Sequence, residues 1–518
     1  MSVTIDKIRL INFKSFEDYT ICPNERVNIL VGDNEVGKSS VLEAIELAAS
    51  GSIKRVENIG LDKLINIDAI NKFQNSRRYE NLPEMKVELY LKGEFDHTMN
   101  GNNNSLGIVT DGIRLVCSPN DEYGKEINEF LSEETSVFPY EYYQIRFSTF
   151  SDETFSGYKK KLRTVFIDSG NMNSEYKTNY FVQKMYQQYT EGNELERINH
   201  KSKYRQMKSK FCEDNLKELN ERLPTDKNYQ FALQNSFSNV FSDELMIYEN
   251  SIALNNRGTG LQVLIKTDFA LEKSGENVDI ILFEEPENHL SYTNLKRLIA
   301  NIEQHQNGQI FIATHSSLIS TGLELYNLII LSKQKSNVPL YLKSLNKETS
   351  DYFLKAPPAG ILEFILSEKL ILVEGPSEFI LFNEFYMDVT KKSLSYEGVH
   401  VLAIRGLSFK RYLDIAKITG SKVAVITDND SNYQEKCINK YKDYNFENIK
   451  IFFEEDNEKP TFEYYLYEKN KQVCESEFGK EALQYMLKNK TTSALRLAEI
   501  GDLEAPEYIE RAINWINE

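Results

Sequence analysis

The sequence predicts an α/β protein made of two successive parallel-sheet units, the first of which is interrupted by a helical insertion. Three observations support this prediction. A glycine-rich turn follows an apolar strand and precedes a helix near residue 32. A second apolar strand ends in carboxylates at residues 284–287. After residue 360, short apolar runs alternate with helical segments, which is typical of a parallel sheet.

The composition is that of a globular protein without a membrane span. Of the 518 residues, 41% are apolar and 27% are charged. No run of uncharged apolar residues is long enough to cross a bilayer, and the N-terminus lacks the apolar stretch of a secretory signal. The five cysteines lie far apart, without the spacing of a zinc site. We therefore expect a cytoplasmic protein that has no membrane contact and no disulfide framework.

The charge leaves nucleic-acid binding open. A net charge of −17 argues against a protein that binds phosphate backbones, because such proteins usually carry a positive surface. Residues 159–210 nevertheless contain twelve Lys or Arg and only five Asp or Glu. A local basic surface is therefore compatible with the negative net charge of the whole chain.

The first fifty residues are expected to form two strands, a loop and a helix. Residues 5–16 alternate like an edge strand, and residues 27–32 form a short apolar run that ends on glycine. Residues 85–95 and 112–117 alternate like half-buried strands on either side of an Asn-rich loop.

The expected domain bounds follow from changes in this pattern. Residues 175–250 are polar, rich in Lys and Glu and helical in period, and they are interpreted as an insertion. Strand-like runs return after residue 251, and two prolines within residues 356–360 mark a linker. The sequence thus predicts a first unit in two parts, residues 1–174 and 251–355. The insertion comprises residues 175–250, and the second unit comprises residues 361–518.

A phosphate-binding loop is the first chemical motif. Residues 32–39 read Gly-Asp-Asn-Glu-Val-Gly-Lys-Ser and fit G-x-x-x-x-G-K-[ST] between a strand and a helix. Such a loop wraps its N–H groups around phosphates, with Lys38 on the β- and γ-phosphates and Ser39 on Mg²⁺. The alternative is an ordinary glycine turn before a helix. The predicted nucleotide contacts from this segment are Gly32, Asn34, Gly37, Lys38, Ser39 and Ser40.

The acidic strand supplies a second part of the predicted ATP site. Residues 280–283 are apolar, and Glu284, Glu285 and Glu287 follow. Glu284 is expected to hold Mg²⁺ through water, and Glu285 to orient or deprotonate the attacking water. His315 follows a later apolar strand, where it could contact a γ-phosphate. A solvated acidic loop and an ordinary histidine remain the alternatives.

The order of these motifs resembles the SMC-type branch of the ABC ATPases. Residues 256–262, Asn-Arg-Gly-Thr-Gly-Leu-Gln, resemble the signature loop of that branch. They depart from its usual Ser-Gly-Gly form, because Thr259 stands between Gly258 and Gly260. The resemblance implies that two chains enclose two ATP molecules, each covered by the partner's loop. The insertion is then a dimer contact or a DNA-facing arm, with a solvated helical face as the third possibility.

Clustered carboxylates form the second chemical motif. Glu374 ends an apolar strand, and Glu378 lies in the first turn of the helix that follows. A second apolar strand ends in Asp428-Asn429-Asp430. Four carboxylates at neighbouring strand ends repel one another unless cations neutralise them, so we expect Mg²⁺ or Mn²⁺. Two such ions can activate water for phosphodiester cleavage.

These strand ends resemble the Toprim fold of topoisomerases, primases and certain nucleases. Gly406 matches the small residue at which Toprim backbones approach the metal site. An SMC-type ATPase followed by Toprim resembles the OLD (overcoming lysogenization defect) family, which includes nuclease subunits of Gabija-type anti-phage systems. The resemblance implies that Glu463 is a further metal ligand. It also implies a catalytic lysine at Lys490, with Lys488 as a rival.

The leading hypothesis is an ATP-regulated, metal-dependent DNA endonuclease of anti-phage defence. The alternative is an SMC-like repair ATPase whose Toprim unit binds nucleic acid without cutting it. Topoisomerase or primase activity is a third hypothesis. The resemblance implies ATP and Mg²⁺ or Mn²⁺ as cofactors. The implied partners are DNA, a second copy in a dimer or tetramer, and either a helicase or a reverse transcriptase with its RNA.

Overall fold

The computed structural model divides the chain into two compact units. The first comprises Met1–His315 with Leu331–Pro339, and the second comprises Ser316–Ile330 with Leu340–Glu518. From the sequence, residues 251–355 are expected to belong to the ATPase. The domain bounds expected from the sequence remain predictions. The structure describes all residues except 1–2, 96, 133–136, 158–159, 170–174, 191–192, 224–228, 234–240, 273–277, 306, 333–337, 359 and 405–407.

The first unit combines an antiparallel and a parallel sheet. Its strands are β1 (Thr4–Phe13), β2 (Phe16–Ile21), β3 (Val27–Val31), β4 (Met85–Lys92), β5 (Asn100–Gly101), β6 (Thr110–Pro119), β7 (Tyr143–Thr149), β8 (Thr164–Asp168), β9 (Tyr248–Glu249), β10 (Ile252–Ala253), β11 (Ile280–Glu284) and β12 (Gln309–Ala313). Its helices are α1 (Lys38–Ser50), α2 (Ile53–Ile59), α3 (Leu61–Leu64), α4 (Ile67–Ser76), α5 (Gly124–Ser132), α6 (Glu175–Tyr189), α7 (Glu194–Asn215), α8 (Lys217–Glu221), α9 (Thr259–Glu272) and α10 (Tyr292–Gln304).

The antiparallel sheet has the order β2-β1-β4-β6-β5, and β7 also pairs with β6. The half-buried strands expected on either side of the Asn-rich loop are β4 and β6, which are direct neighbours. The expectation of an edge strand at residues 5–16 is wrong. β1 is interior because the chain turns back at once to form β2, while β4 occupies its other side.

The parallel sheet of the first unit carries the nucleotide motifs. Within this unit its order is β3-β12-β11-β8, and all three pairings are parallel. The strand residues are buried, as their continuous apolar sequences predict for a sheet covered on both faces. Glu284 at the end of β11 lies in register with Ala313 of β12 and Asp168 of β8. The strand ends therefore meet at one edge of the sheet.

The second unit is built around another parallel sheet. Its strands are β13 (Leu328–Ile330), β14 (Leu340–Tyr341), β15 (Lys369–Val373), β16 (Val399–Ala403), β17 (Lys422–Ile426) and β18 (Ile449–Phe452). Its helices are α11 (Ser317–Gly322), α12 (Lys347–Lys355), α13 (Ile361–Leu366), α14 (Pro376–Thr390), α15 (Leu394–Glu397), α16 (Phe409–Thr419), α17 (Phe462–Lys469), α18 (Lys471–Phe478), α19 (Ala482–Lys488), α20 (Lys490–Ile500) and α21 (Glu507–Asn517).

The core of this unit lies between the sheet β16-β15-β17-β18 and helices α14, α20 and α21. In α21 the buried side chains recur at the spacing of one helical face, as Tyr508, Ile509, Ala512, Ile513 and Ile516 show. The neighbouring strands β15 and β17 pair in parallel, with Leu372 opposite Val425. Glu374 and Asp428 therefore follow adjacent strand ends.

No helix among the described residues combines the length and the apolar character needed to cross a bilayer.

Gln309 joins the two sheets of the first unit. Its side chain is fully buried; Oε1 accepts a hydrogen bond from the Ile5 N–H at 2.8 Å, and Nε2 donates to the carbonyls of Ile5 and Asn24 at 3.0 and 2.7 Å. Gln309→Leu keeps the volume but leaves buried backbone groups without partners. We expect the free energy of unfolding to fall by about 2–4 kcal/mol in urea denaturation. The exposed Gln144→Leu is the control, and equal stabilities of the two variants would contradict this role.

Candidate functional sites

The lysine of the phosphate-binding loop is hydrogen-bonded to backbone carbonyls of the same loop. Lys38 begins α1 and is 7% exposed, and its Nζ donates to the carbonyls of Gly32 and Asp33 at 2.8 and 2.9 Å. Burial lowers the pKa of Lys38, while the charges of Glu285, Asp33 and Glu287 oppose that change. The ammonium therefore lies among carboxylates and can exchange loop carbonyls for phosphate oxygens.

Gly37 requires glycine for two reasons. Its φ of 101° lies in the left-handed region, and a Cβ there would come within 2.5 Å of the Phe16 ring. The close approach of the Phe16 ring to this loop therefore depends on glycine at position 37. The structure thus places the Gly32–Ser39 loop at the carboxyl end of β3 and the start of α1, as the motif predicts.

Glu285 leaves the sheet just beyond the strand end. It has a φ of 43°, and its N–H donates to the carbonyl of Ala313 at 2.8 Å. Its Oε2 accepts from Nδ2 of Asn288 at 2.7 Å. Glu285 and Lys38 are close enough to interact electrostatically, so the structure brings together the two motifs predicted for the ATP site.

Glu287 is a polar contact that sequence reasoning did not single out. Its Oε1 accepts from the Thr314 hydroxyl and from the backbone N–H of His315, both at 2.7 Å. Its Oε2 is buried and has no hydrogen-bond partner among the described residues. Glu287 therefore ties the segment after β11 to the segment that carries His315. The sole sequence signal was the third acid of the Glu-Glu-Pro-Glu run.

The signature-like loop begins α9. Arg257 pairs with Glu249 at 3.1 Å, and its carbonyl accepts from Gln262 at 2.9 Å. A Cβ on Gly260 would come within 2.4 Å of the His289 carbonyl, whereas Gly258 has open space around it. Gly260 is thus held by close packing, while Gly258 is exposed.

A cavity of about 1190 Å³ lies beside the two predicted Mg²⁺-contacting residues, Ser39 and Glu284. It is also lined by Asp168 and by Lys266, which is 3% exposed. Burial lowers the pKa of Lys266 to about 8, while Asp168 opposes the change, and Nζ donates to Thr178 at 3.2 Å. Lys266 could not be identified from the sequence, because it lies within an otherwise ordinary helical pattern.

In the second unit, the ends of β15 and β17 are directly connected. Glu374 Oε1 accepts from the Asp428 N–H at 3.1 Å and from the Thr427 hydroxyl. Asp428 Oδ1 in turn accepts from the N–H of Phe462 at 2.9 Å. These contacts join both strand ends to the start of α17. We call Glu374, Glu378, Asp428 and Glu463 the carboxylate cluster.

Burial and mutual repulsion dominate the electrostatics of the carboxylate cluster. Burial raises the pKa of Asp428 to about 9, and the charges of Glu374, Glu378 and Glu463 add to the shift. Burial likewise raises the pKa of Glu378, which is 6% exposed, to about 7, with Glu374 and Glu463 contributing. Lys490 lowers both values. At neutral pH and without a bound cation, Asp428 is therefore protonated and Glu378 is divided between its protonated and ionised forms.

Lys490 lies at this cluster. Its Nζ donates to Glu463 Oε2 at 2.8 Å, and the Thr461 hydroxyl donates to the same oxygen at 2.7 Å. Burial acts to lower the pKa of Lys490, but Glu463, Asp428 and Glu378 together raise it. Lys488 is exposed at the end of α19. Of the two lysines left open by the sequence, Lys490 is the one that contacts a cluster carboxylate.

Asp430 lies at the margin of the cluster. It is exposed, has a φ of 46° and lies 3.8 Å from the ammonium of Lys436. The buried Asn429 before it donates to the carbonyls of Glu454 and Asp456 at 3.0 and 2.9 Å. Asn429 therefore holds the loop that leads to Glu463, a role that sequence reasoning missed. Gly406 lies outside the described residues.

The cluster matches the chemistry of a hard divalent cation. Among the described residues, no group of three or more His, Cys, Asp or Glu is already arranged around a common cation position. The donors are nevertheless all carboxylate oxygens, the ligands preferred by Mg²⁺ and Mn²⁺. A cation would also relieve the repulsion that raises the pKa of Asp428 and Glu378. The residues therefore fit such an ion.

Two family models match successive parts of the chain. A family model described as an AAA ATPase domain matches residues 4–248 and 169–319, together more than half of the chain. The chain belongs to this AAA ATPase family. A model described as an overcoming lysogenization defect protein-like TOPRIM domain matches residues 365–430. The AAA ATPase unit thus precedes an OLD-like Toprim domain, the architecture of the OLD family.

Individual relatives match parts of the ATPase. The Rad50 double-strand break repair ATPase of Thermoplasma acidophilum is 53% identical over 55 residues, 11% of this chain and 6% of that protein. The replication and repair protein RecF of Alkaliphilus oremlandii is 26% identical over 153 residues, 26% of this chain and 40% of RecF. This chain thus spans less than half of each relative.

Among solved structures, the C-terminal region of the Xanthomonas campestris pv. campestris OLD protein is 15% identical. The match covers 29% of this chain and 94% of that one, with a TM-score of 0.22. The family models and the observed sheets confirm the predicted α/β fold class, in which an ATPase unit precedes a Toprim domain with a parallel sheet.

The raised pKa values predict how stability changes with pH in the cation-free protein. Glu378 and Asp428 bind protons more tightly in the folded than in the unfolded chain. The stability they contribute is complete below their ordinary pKa and is lost as pH rises through about 7 and about 9. In EDTA, the unfolding free energy of the wild type should therefore fall more between pH 5 and pH 9.5 than that of Asp428→Asn, as measured in urea.

The exposed Asp443→Asn is the matched control and should follow the wild type. Parallel pH profiles of Asp428→Asn and the wild type would contradict the protonated state of Asp428.

Proposed function

We propose that this protein is an ATP-regulated, divalent-metal-dependent DNA endonuclease of the OLD type. The observation that carries the proposal is the carboxylate cluster, with its raised pKa values and with Lys490 hydrogen-bonded to Glu463. Buried acids that repel one another destabilise a fold and are typical of functional sites. A role in anti-phage defence rests on the family resemblance.

The proposed metal ligands are Glu374, Glu378, Asp428 and Glu463, with Asp430 at the margin. A bound Mg²⁺ or Mn²⁺ would supply an activated water and stabilise the leaving oxygen of a phosphodiester. The protein's own contribution is to hold these oxygens in place. Thr427 and the Asp428 N–H orient Glu374, and the Phe462 N–H orients Asp428.

Lys490 is proposed to stabilise the charge that develops on the attacked phosphate. Its side chain is 47% exposed, whereas its partner Glu463 is 5% exposed. One side of the ammonium is thus held by a buried carboxylate while the other can meet a phosphate oxygen. A fixed cation beside a developing oxyanion stabilises the transition state more than the ground state.

The ATP site is proposed to use the residues identified from the sequence. Lys38, now on its own loop carbonyls, would transfer its hydrogen bonds to phosphates, and Ser39 with Glu284 would hold Mg²⁺. Glu285 would orient the attacking water, and His315 would contact the γ-phosphate. The loop Gly258–Gly260 would cover the nucleotide of a second copy, so the proposal includes a dimer or a tetramer.

A DNA-repair ATPase that does not cut DNA is the second candidate. Similarity to proteins described as a Rad50 ATPase and as RecF favours it, because both names concern DNA repair. The carboxylate cluster favours the nuclease, since binding DNA alone would not call for four repelling acids next to phosphates.

ATP binding is expected to need Lys38, and ATP turnover to need Glu285. Lys38→Ala should lose nucleotide affinity, because the phosphates lose their cation. Glu285→Gln should still bind ATP but hydrolyse it at least tenfold more slowly, since water activation by a positioned base contributes roughly 10²–10⁴. Equilibrium binding of labelled ATP and phosphate release are the measurements. ATP hydrolysis by Glu285→Gln at the rate of the wild type would contradict the assignment of Glu285 as the residue that orients the attacking water.

DNA cleavage is expected to need the carboxylate cluster. Plasmid and phage DNA are incubated with the wild type in Mg²⁺ or Mn²⁺, with ATP titrated and EDTA as a blank. Asp428→Ala and Glu374→Ala should abolish cutting and leave ATP turnover intact, because the acids belong to a separate unit. Lys490→Ala should slow cleavage more than it weakens metal affinity.

The exposed Glu447→Ala is the control variant and should cut like the wild type. Equal cutting by Asp428→Ala and the wild type would place the activity elsewhere. DNA binding without cutting on every substrate would favour the repair ATPase, and relaxed closed circles would indicate a topoisomerase.

A further inference from the structure

Helix α7 has a strongly basic middle segment, with acids confined to its two ends, namely Glu194, Glu196, Glu213 and Asp214. Asp and Glu outnumber Lys and Arg by 78 to 61, yet the segment from Arg197 to Lys210 contains six basic residues and no acidic one. The helix has no buried residue. Four of the bases are exposed and have no ion-pair partner in the described part of the chain, namely Lys201, Lys203, Arg205 and Lys210. A solvent-facing row of cations without counter-charges attracts anions.

The cations flank an apolar stripe. At 3.6 residues per turn, Arg197, Lys201 and Arg205 fall along one side of the helix with Lys208, which pairs with Glu244 at 3.6 Å, and Lys203 and Lys210 fall along another. Between these two rows lies the stripe of His200, Tyr204, Met207 and Phe211. The first of these rows spans about 16 Å at 1.5 Å per residue.

One half of this stripe is packed and the other half is open. His200 and Tyr204 contact the ring of Phe241, with centroids 6.0 and 5.4 Å apart. Met207 and Phe211 continue the stripe but are 59% and 48% exposed. An exposed aromatic ring between two rows of cations suits a ligand with regularly spaced negative charges and flat apolar groups.

We propose that α7 is a binding surface for single-stranded DNA, with phosphates on the two cation rows and a base stacked on Phe211. Proteins that bind single strands combine a basic groove with aromatic side chains on which bases stack. Duplex DNA would engage the cations but offers no open base to Phe211. This inference rests on the proposed function, because it takes DNA to be the substrate.

Pairing of α7 with the α7 of a second copy is the competing arrangement. It would cover Met207 and Phe211, but it would also bring together two helices that have no acid between Arg197 and Lys210. Like charges opposed across an interface are unfavourable, so the charge pattern favours a polyanion over this contact.

The test measures binding of a labelled thymidine 20-mer to the full chain in EDTA, by fluorescence anisotropy over a range of salt concentrations. Lys201→Glu with Arg205→Glu should weaken binding at least tenfold. The plot of log affinity against log salt should become less steep by about 1.4, since each of the two lost phosphate contacts on a single strand contributes about 0.7 to the slope. The control with the same charge change is Lys63→Glu with Lys125→Glu, two exposed lysines outside α7.

Phe211 gives a second, independent readout. Phe211→Ala should weaken single-strand binding about fivefold or more, as expected for one stacked base, without changing the salt slope. Phe211→Trp should restore the affinity. Binding of a duplex of the same length should not respond to Phe211→Ala. Circular dichroism and ATP binding confirm that each variant is folded.

Unchanged affinity and salt slope in the α7 charge variants would overturn the proposal. A change in sedimentation without a change in DNA binding would also overturn it, and would assign α7 to a contact between copies. The proposed nuclease can fail separately. A wild type that binds the 20-mer in EDTA but cuts no DNA with Mg²⁺ loses the nuclease function and keeps this surface.

Discussion

Parallel strand register is the constraint on which both candidate sites depend. In the first unit it aligns the end of β11 with the ends of β12 and β8, so that Glu284 and the segment before His315 share one edge. In the second unit it sets β15 beside β17, and Glu374 accepts the Asp428 N–H as a direct result. Ordinary backbone pairing of apolar strands thus positions groups that would otherwise repel one another.

The carboxylate cluster shows how such repulsion is tolerated. Asp428 holds a proton at neutral pH and Glu378 holds one part of the time, while Glu374 and Glu463 accept hydrogen bonds from Thr427, Thr461 and Lys490. The remaining strain is electrostatic and is removable by cations. A divalent cation bound here would displace the protons of Asp428 and Glu378 and neutralise the cluster directly.

The charged side chains of the nucleotide site are likewise hydrogen-bonded within the protein. Lys38 is satisfied by two loop carbonyls, and Glu287 is half satisfied by Thr314 and the His315 N–H. Arrival of phosphates would give Lys38 stronger partners than carbonyls, since hydrogen bonds between two charged groups are the stronger ones. The segment that carries His315 is tied to the acidic strand through Glu287 by hydrogen bonds that involve no nucleotide.

The sequence by itself determined the parallel strands, the phosphate-binding loop and the acids that end each strand, because apolar runs and local motifs encode these features over a few residues. Family resemblance added Glu463 and Lys490. Tertiary structure alone decided that β1 is interior, that Lys490 rather than Lys488 contacts Glu463, and that Glu287 and Asn429 hold loops on which the sites depend. Those roles arise from hydrogen bonds between residues some 25 positions or more apart. Local periodicity does not record which distant segments meet, because only the packing of the whole unit selects those partners.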